Sequence, residues 1–373
     1  MKFSMDRKYF YEKLSIVARA ISVFSPLPAL SGICIDVKED KIVLTGSDSN
    51  VSIRSTIVFS ETNQLQIETP GSIVIESKYL LEIVRKMDSD RIEFELIDFT
   101  KIRLEGNNGK FELNGISASE YPEIDFQKPL TQITVSTDTL KQIVSQTAFA
   151  CSDKDKRPVL NGVNFNIVGN KLYCSGTDSY RLARKEIELE TSQNINVTIP
   201  SKSLTEVVRS LNDDVKEVDL FIDYKKAQFI FDRVIIQTRL IDGTFPDVER
   251  IIPNSFIATM EVDAHEIVNV VDRTNFIRND KVHLVRLECS TLETHIKTSS
   301  SEIGNSDEVL TDCIYEGEDL RLSCNGTFLL EAIRALGAKR VKMEFSGLMK
   351  PIRITNMEDA STTMIIVPIR SYD

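Results

Sequence analysis

The 373-residue chain holds only three histidines, no C-x-x-C pair and no glycine-rich phosphate loop of the G-x-x-x-x-G-K-[ST] or G-x-G-x-x-G kind. It also lacks any run approaching the roughly 18 apolar residues that a membrane helix needs. Each absence removes a class of function. Without a phosphate loop, the chain itself is not expected to be driven by ATP. The first residues carry Lys2, Asp6, Arg7, Lys8, Glu12 and Lys13, which interrupt any signal-like apolar segment, so a soluble, cytoplasmic protein without membrane contact is expected. Six scattered cysteines, in contexts such as Gly32-Ile33-Cys34-Ile35, read as buried reduced thiols rather than a disulfide framework or a zinc site. His265-Glu266 opens like a zinc-protease helix, but Asn269 stands where the second histidine is required. Asp153 and Asp155 alternate with Lys154 and Lys156 and read as a solvated loop rather than a metal pair. His283 and His295 lie in strand-like segments with no nucleophile motif behind them. No catalytic, cofactor-binding or metal-binding residue is assigned, and no cofactor is expected.

What the chain does have is length and repetition. Its 42% apolar content supports two or three domains with full cores. Three segments read as one strand-to-helix unit: Ile75-Glu76-Ser77-Lys78-Tyr79-Leu80-Leu81-Glu82, Ile199-Pro200-Ser201-Lys202-Ser203-Leu204-Thr205-Glu206, and the run from Ser323 through Leu329-Leu330-Glu331. Glu82, Glu206 and Glu331 are separated by 124 and 125 residues, a domain-sized period. A second match sets Leu30-Ser31-Gly32-Ile33 and Ser47-Asp48-Ser49 against Leu160-Asn161-Gly162-Val163 and Thr177-Asp178-Ser179, both offset by 130. The third copy keeps the hairpin pattern but loses the Asp. Each third therefore reads as helix, hairpin, strand, helix, hairpin, strand, with first helices over 7–21, 136–151 and 263–278. Prolines at Pro129 and Pro253 set expected domains at 1–127, 128–253 and 254–373. The fold class expected is α+β, three repeated domains, each with two helices packed on antiparallel sheets.

The net charge of −11 argues at first sight against nucleic acid, but the charges are not evenly spread. Lysine and arginine collect on the helices: Arg7, Lys8, Lys13 and Arg19, then Lys78, Arg85 and Lys86, then Lys202, Arg209, Arg273, Arg278 and Arg334. Acidic residues collect on strands and loops. Helices lining a channel would touch phosphates without reading bases. Ordinary solvated helix faces give the same pattern.

Several strings resemble the bacterial DNA polymerase III beta sliding-clamp family: Met1-Lys2-Phe3, Leu27-Pro28-Ala29-Leu30-Ser31-Gly32, Arg157-Pro158-Val159-Leu160-Asn161-Gly162, Thr177-Asp178-Ser179-Tyr180-Arg181-Leu182-Ala183, Phe245-Pro246-Asp247 and Val367-Pro368-Ile369-Arg370. Their order and spacing span the whole chain. The resemblance implies a non-enzymatic accessory subunit whose homodimer closes head to tail around double-stranded DNA, without sequence preference. Through short linear peptides it would hold the replicative polymerase, the clamp loader, repair polymerases and mismatch-repair proteins.

By position, the resemblance places a partner-peptide pocket at Leu160, Thr177, Tyr180, Arg181 and Leu182, with Pro246, Arg250 and Ile251. Ile365, Val367, Pro368, Ile369 and Arg370 complete it. Aliphatic walls would take Leu or Phe anchors, and arginines the polar ends; strand-edge packing explains the same residues. DNA contacts would fall to Lys154, Arg157, Lys202, Arg209, Arg85 and Lys86. Phe24 departs from the family's arginine, and Pro158 and Val159 from its aromatic residues. The subunit interface would join an edge strand with Lys110, Phe111 and Leu113 to Phe276 and Ile277, with Glu302, Asp307 and Glu308 complementing Lys110. Phe111 and Leu113 facing their own core is the alternative. A scaffold without DNA and an α+β enzyme with an unrecognised site are the competing classes; the scaffold predicts no positive bias on the helices, the enzyme a convergent titratable cluster.

Overall fold

A computed structural model of the chain describes residues 1–22, 25, 27–277 and 282–370. Phe24 and Arg278 lie outside the described residues. Six α-helices are present among those described: α1 (Arg7–Ala18), α2 (Ser77–Lys86), α3 (Thr137–Thr147), α4 (Ser201–Arg209), α5 (Ala264–Arg273) and α6 (Gly326–Leu336). Apolar side chains at helical spacing explain the inward face of α1, where Phe10, Leu14 and Val17 are fully buried. The helices begin where short polar residues cap free N–H groups. Asp6 accepts from the Tyr9 amide at 2.7 Å, and Asp263 from the Glu266 amide at 2.8 Å.

Each third opens with a strand that the periodicity did not predict: Lys2–Asp6, Thr131–Ser136 and Ala258–Asp263. These strands pair with the hairpin after the second helix of the same third, Lys2–Asp6 with Arg91–Leu96, Thr131–Ser136 with Glu217–Ile222, and Ala258–Asp263 with Arg340–Phe345. The first helices are also shorter than 7–21, 136–151 and 263–278, ending at Ala18, Thr147 and Arg273.

The repeat shows in detail at the turn between strands. Asp48 Oδ1 accepts from the amides of Asn50 and Val51, and Asp178 Oδ1 from those of Tyr180 and Arg181. Ser49 and Ser179 take the same left-handed φ, 78° and 79°. The third copy keeps the turn with a hydroxyl: Ser290 Oγ accepts from the amides of Leu292 and Glu293. Glycine is needed at Gly46 and Gly176, because a Cβ at either would stand 2.7 and 2.3 Å from the carbonyls of Val17 and Thr147.

Four antiparallel sheets carry the helices. Two of them run across the expected domain borders. Strand Val51–Val58 pairs with Val234–Arg239, which makes one eight-stranded sheet from the first and middle thirds. Strand Arg181–Pro200 pairs with Thr362–Ile366, which makes one seven-stranded sheet from the middle and last thirds. Contacts accordingly gather the chain into two compact units, Met1–Asp138 with Glu206–Leu240, and Thr139–Thr205 with Ile241–Asp373. Compactness follows the sheets, and the sheets do not stop at Pro129 or Pro253. In the first unit α1 packs on α2, and Phe3 stacks on Phe94 at 5.0 Å; in the second α5 packs on α6. No helix among the described residues is long and apolar enough to cross a membrane.

Candidate functional site

The expected peptide-binding residues all lie within the second unit. Strand pairing sets Leu182 opposite Ile365 and Arg181 opposite Ile366, and the Val367 amide donates to the Tyr180 carbonyl at 3.0 Å. Leu182 and Ile365 meet Val248 in a small apolar cluster of their own, with Phe245 and Ile252 packed against it. Phe245, Val248 and Ile252 were not among the residues expected here. Their signal was the four-residue spacing of Val248 and Ile252 beside Phe245-Pro246.

Around that cluster, Leu160, Thr177, Leu182, Ile365 and Pro368 are buried, whereas Val367 and Ile369 are half-buried. Tyr180, Pro246, Arg250, Ile251 and Arg370 are exposed. The Asp178 turn explains Tyr180: with its amide tied to Asp178 Oδ1, the ring stands 66% exposed at the hairpin tip. Among the described residues, the ion pair of Arg250 is with Asp247 beside it, at 2.9 Å. An apolar anchor set against Ile251 and Tyr180 would extend the buried cluster outward.

Arg181 behaves differently from the expectation that it would grip a peptide's polar end. Its side chain is 11% exposed, and each of its three nitrogens is hydrogen-bonded. Nε donates to Asp178 at 3.0 Å, one terminal nitrogen donates to Glu331 on α6, and the other to the Phe149 carbonyl at 2.8 Å. The guanidinium also lies 4.3 Å from the Phe328 ring and 5.3 Å from Phe149. It is a framework residue tying the hairpin to α6, because five fixed donors match three convergent acceptors there.

The basic helix residues are also more committed than their sequence suggests. On α1, Arg7 donates to the carbonyls of Ser89 and Val84 near the end of α2, and Lys13 is buried against Asp232; just past the end of α1, Arg19 pairs with Glu206. Arg85 and Lys86 share Glu82, Arg209 shares Glu206, and Arg157 pairs with Asp155. Lys154 and Lys202 are exposed and make no ion pair with a described residue. Pro158 is exposed and Val159 buried.

At the expected interface, Lys110–Asn114 is the outer strand of the five-stranded sheet. Register sets Phe111 opposite Leu104 and Leu113 opposite Ile102, both fully buried, so these two side chains share the face of their own core; at the sheet's rim Phe111 is still 39% exposed and Leu113 half-buried. Phe276 is 69% exposed, but Ile277 is only 4% exposed within its own subunit. Ile277 therefore cannot present a free apolar face, since the turn that bonds its amide to the Thr274 carbonyl sends it inward. Two of the acids expected opposite Lys110 are likewise engaged: Asp307 with His295 and Lys297, and Glu308 with Arg273. Lys110 itself pairs with Glu105 at 3.0 Å.

The remaining reactive groups are quiet. All six cysteines are unpaired, and burial pushes the thiols of Cys151, Cys289 and Cys324 up to about 12, which keeps them protonated and poorly nucleophilic at neutral pH. His265 is bonded to Asn269 on its own helix.

Family models for the N-terminal, central and C-terminal domains of the DNA polymerase III beta subunit match residues 1–125, 134–247 and 249–370 in order. The chain belongs to this family. A curated relative from Bacillus subtilis named beta sliding clamp is 33% identical, with all of both chains covered, and one from Staphylococcus aureus is 32% identical over the same full extent. The solved DNA polymerase sliding clamp of Bacillus subtilis superposes with a TM-score of 0.95 at 32% identity, covering 100% of each chain. The DNA polymerase III beta chain of Streptococcus pneumoniae TIGR4 does so with a TM-score of 0.96 at 30% identity, over 99% of this chain and 100% of that one. The three-domain clamp fold expected from the repeat is the fold of this family.

Proposed function

We propose that the protein is a sliding clamp: two copies close head to tail around duplex DNA and keep replication enzymes on it. The observation that carries this reading is the end-to-end match to relatives named beta sliding clamp, with no part of either chain left over. In this reading the domains are 1–127, 128–253 and 254–373, and the chain is a non-catalytic, cytoplasmic accessory subunit of the replicative polymerase. Enclosure supplies retention, so individual phosphate contacts stay weak enough for sliding. That fits a set of basic residues most of which share a neighbouring aspartate or glutamate.

The cluster of Leu182, Val248 and Ile365, with Tyr180 and Ile251 at its rim, would take the apolar anchors of short peptides. Polymerase, clamp loader, repair polymerases and mismatch-repair proteins would compete for it. The outer strand Lys110–Asn114, with Phe111, would pair across the subunit boundary and remove an open sheet edge. Head-to-tail contacts that close after two copies give a ring rather than a filament.

The test is topological. Protein placed on nicked circular DNA by a clamp loader should remain through gel filtration and be lost when the circle is cut once. Equal loss from circular and linear forms would reduce the protein to an electrostatic binder.

A further inference from the structure

A roofed cavity lies on the face of the eight-stranded sheet that points away from α1 and α2. Along the strands Gly32–Val37, Lys41–Ser47 and Val51–Val58, alternate residues divide between two faces. Ile33, Ile35, Ile42, Leu44, Ile53 and Ile57 form the buried core on one side. On the other, strand register sets Cys34, Thr45 and Arg54 in one row, and Ser72, Asp36, Val43 and Thr56 in the next. A strap of chain over 116–127 crosses this polar face. It is fastened at one end by paired backbone hydrogen bonds between Ile116 and Val74, and at the other by Asp125 to Lys226 and the Gln127 carbonyl to Gln228. Between strap and sheet is a cavity of about 570 Å³, lined also by Lys38, Lys41, Tyr121, Pro122 and Ile124. That size suits a small organic ligand.

Arg54 is the group in this cavity that lacks an explanation. Its guanidinium lies 3.9 Å from the centre of the Phe126 ring, and its Nε is sealed from solvent without any hydrogen-bond acceptor. None of the ion pairs among the described residues includes it. Burial pushes the guanidinium below its ordinary range. An arginine held over a ring, with its fork unfilled, is arranged for a planar bidentate acceptor. Lys38 and Lys41 add positive charge, while Asp36, 3.7 Å from Lys38, and Glu123 remove most of it. The balance of three cations against two carboxylates favours a single negative charge over a doubly charged phosphate. Val43, Pro122, Ile124 and the Tyr121 ring offer an apolar wall. The Cys34 thiol is pushed up to about 11, chiefly by burial, so the cavity holds no ready nucleophile.

We infer that this cavity binds a small organic monocarboxylate, its carboxylate on Arg54 and its apolar body against Pro122 and Ile124. Calorimetric titration of the full chain with benzoate, inorganic phosphate and the uncharged benzamide tests this. Benzoate should bind about tenfold or more tightly than either of the others, and Arg54→Gln should weaken it by about tenfold or more, as expected for the loss of a charge-assisted pair. A second readout needs no variant: at alkaline pH, where the raised Cys34 thiol begins to ionise, benzoate should slow its alkylation by iodoacetamide several-fold, leaving Cys313, which lies outside the cavity, unaffected. Benzamide or phosphate binding as well as benzoate overturns the inference. So does alkylation of Cys34 that is indifferent to benzoate.

Discussion

Replacing Arg181 by alanine separates two roles for the most connected side chain of the candidate site. The guanidinium, 11% exposed, joins Asp178 at 3.0 Å, the Phe149 carbonyl at 2.8 Å and Glu331 on α6, and lies against two aromatic rings. Its loss leaves Asp178 Oδ2 and a backbone carbonyl without their donor, although Asp178 Oδ1 keeps the amides of Tyr180 and residue 181. Removing one partner of a buried charge network costs about 3–5 kcal/mol, because the remaining charge stays desolvated. Arg181→Met keeps part of the stacking and should recover part of that loss, by about 1 kcal/mol. Urea unfolding followed by circular dichroism gives the stability. Hydrogen exchange should place the weakening in α6 and in the hairpin around Asp178. A stability loss under about 1 kcal/mol, together with loss of peptide binding, would refute the framework assignment and return Arg181 to the peptide-contacting role that its sequence position suggested.

Other outcomes follow from the same geometry. Tyr180→Ala, at an exposed hairpin tip, should leave stability within about 0.5 kcal/mol yet weaken an apolar-anchored peptide about tenfold, measured by fluorescence polarisation; equal affinity would remove Tyr180 from the rim. Phe276→Asp should yield monomers at micromolar concentration by light scattering, whereas Ile277→Ala should lower stability by about 2–5 kcal/mol and leave association unchanged. Lys202→Ala should reduce the salt slope of DNA binding by about one, and Lys86→Ala by less, because Glu82 already neutralises Lys86; equal slopes would count against this division. Hydrogen bonds that the His295 ring donates to Asp307, then to Glu293, hold its imidazole above its ordinary 6.5. That contribution is full below the unfolded value and fades as pH rises through the folded one. Amides of Thr294–Ser300 and Gly304–Leu310 should therefore exchange faster, beyond intrinsic rates, at pH 8.5 than at pH 6, and Asp307→Asn should bring the His295 titration back toward 6.5.

The repeat was legible because it is written in local chemistry. Ser47-Asp48-Ser49 and Thr177-Asp178-Ser179 recur since each turn needs a side-chain oxygen to cap two amides, and that oxygen comes from within the turn itself. The opening strands were not legible. Lys2–Asp6 is five residues long and becomes a strand by pairing with Arg91–Leu96, nearly ninety positions away. Charge was legible only where its partner is near: Arg85 and Lys86 lie three and four residues from Glu82, but Arg19 meets Glu206 and Lys13 meets Asp232 only through tertiary packing. The same distance hid Arg181, whose neighbour Glu331 is 150 residues away. Ile277 shows the opposite limit. Beside Phe276 it reads as the same apolar surface, and only the turn geometry sends one side chain out and the other in.

The ladder between Val51–Val58 and Val234–Arg239, and that between Arg181–Pro200 and Thr362–Ile366, weld neighbouring thirds by backbone bonds. Bending either joint means tearing a row of amide bonds at once, as in unzipping a sheet from its interior. In the proposed ring, a loader would meet between copies only the edge pairing of Lys110–Asn114, at the rim of a sheet rather than in its interior. Strain applied to that ring should then surface first at the outer strand Lys110–Asn114, and the ring should open there as a gate rather than yield as a hinge.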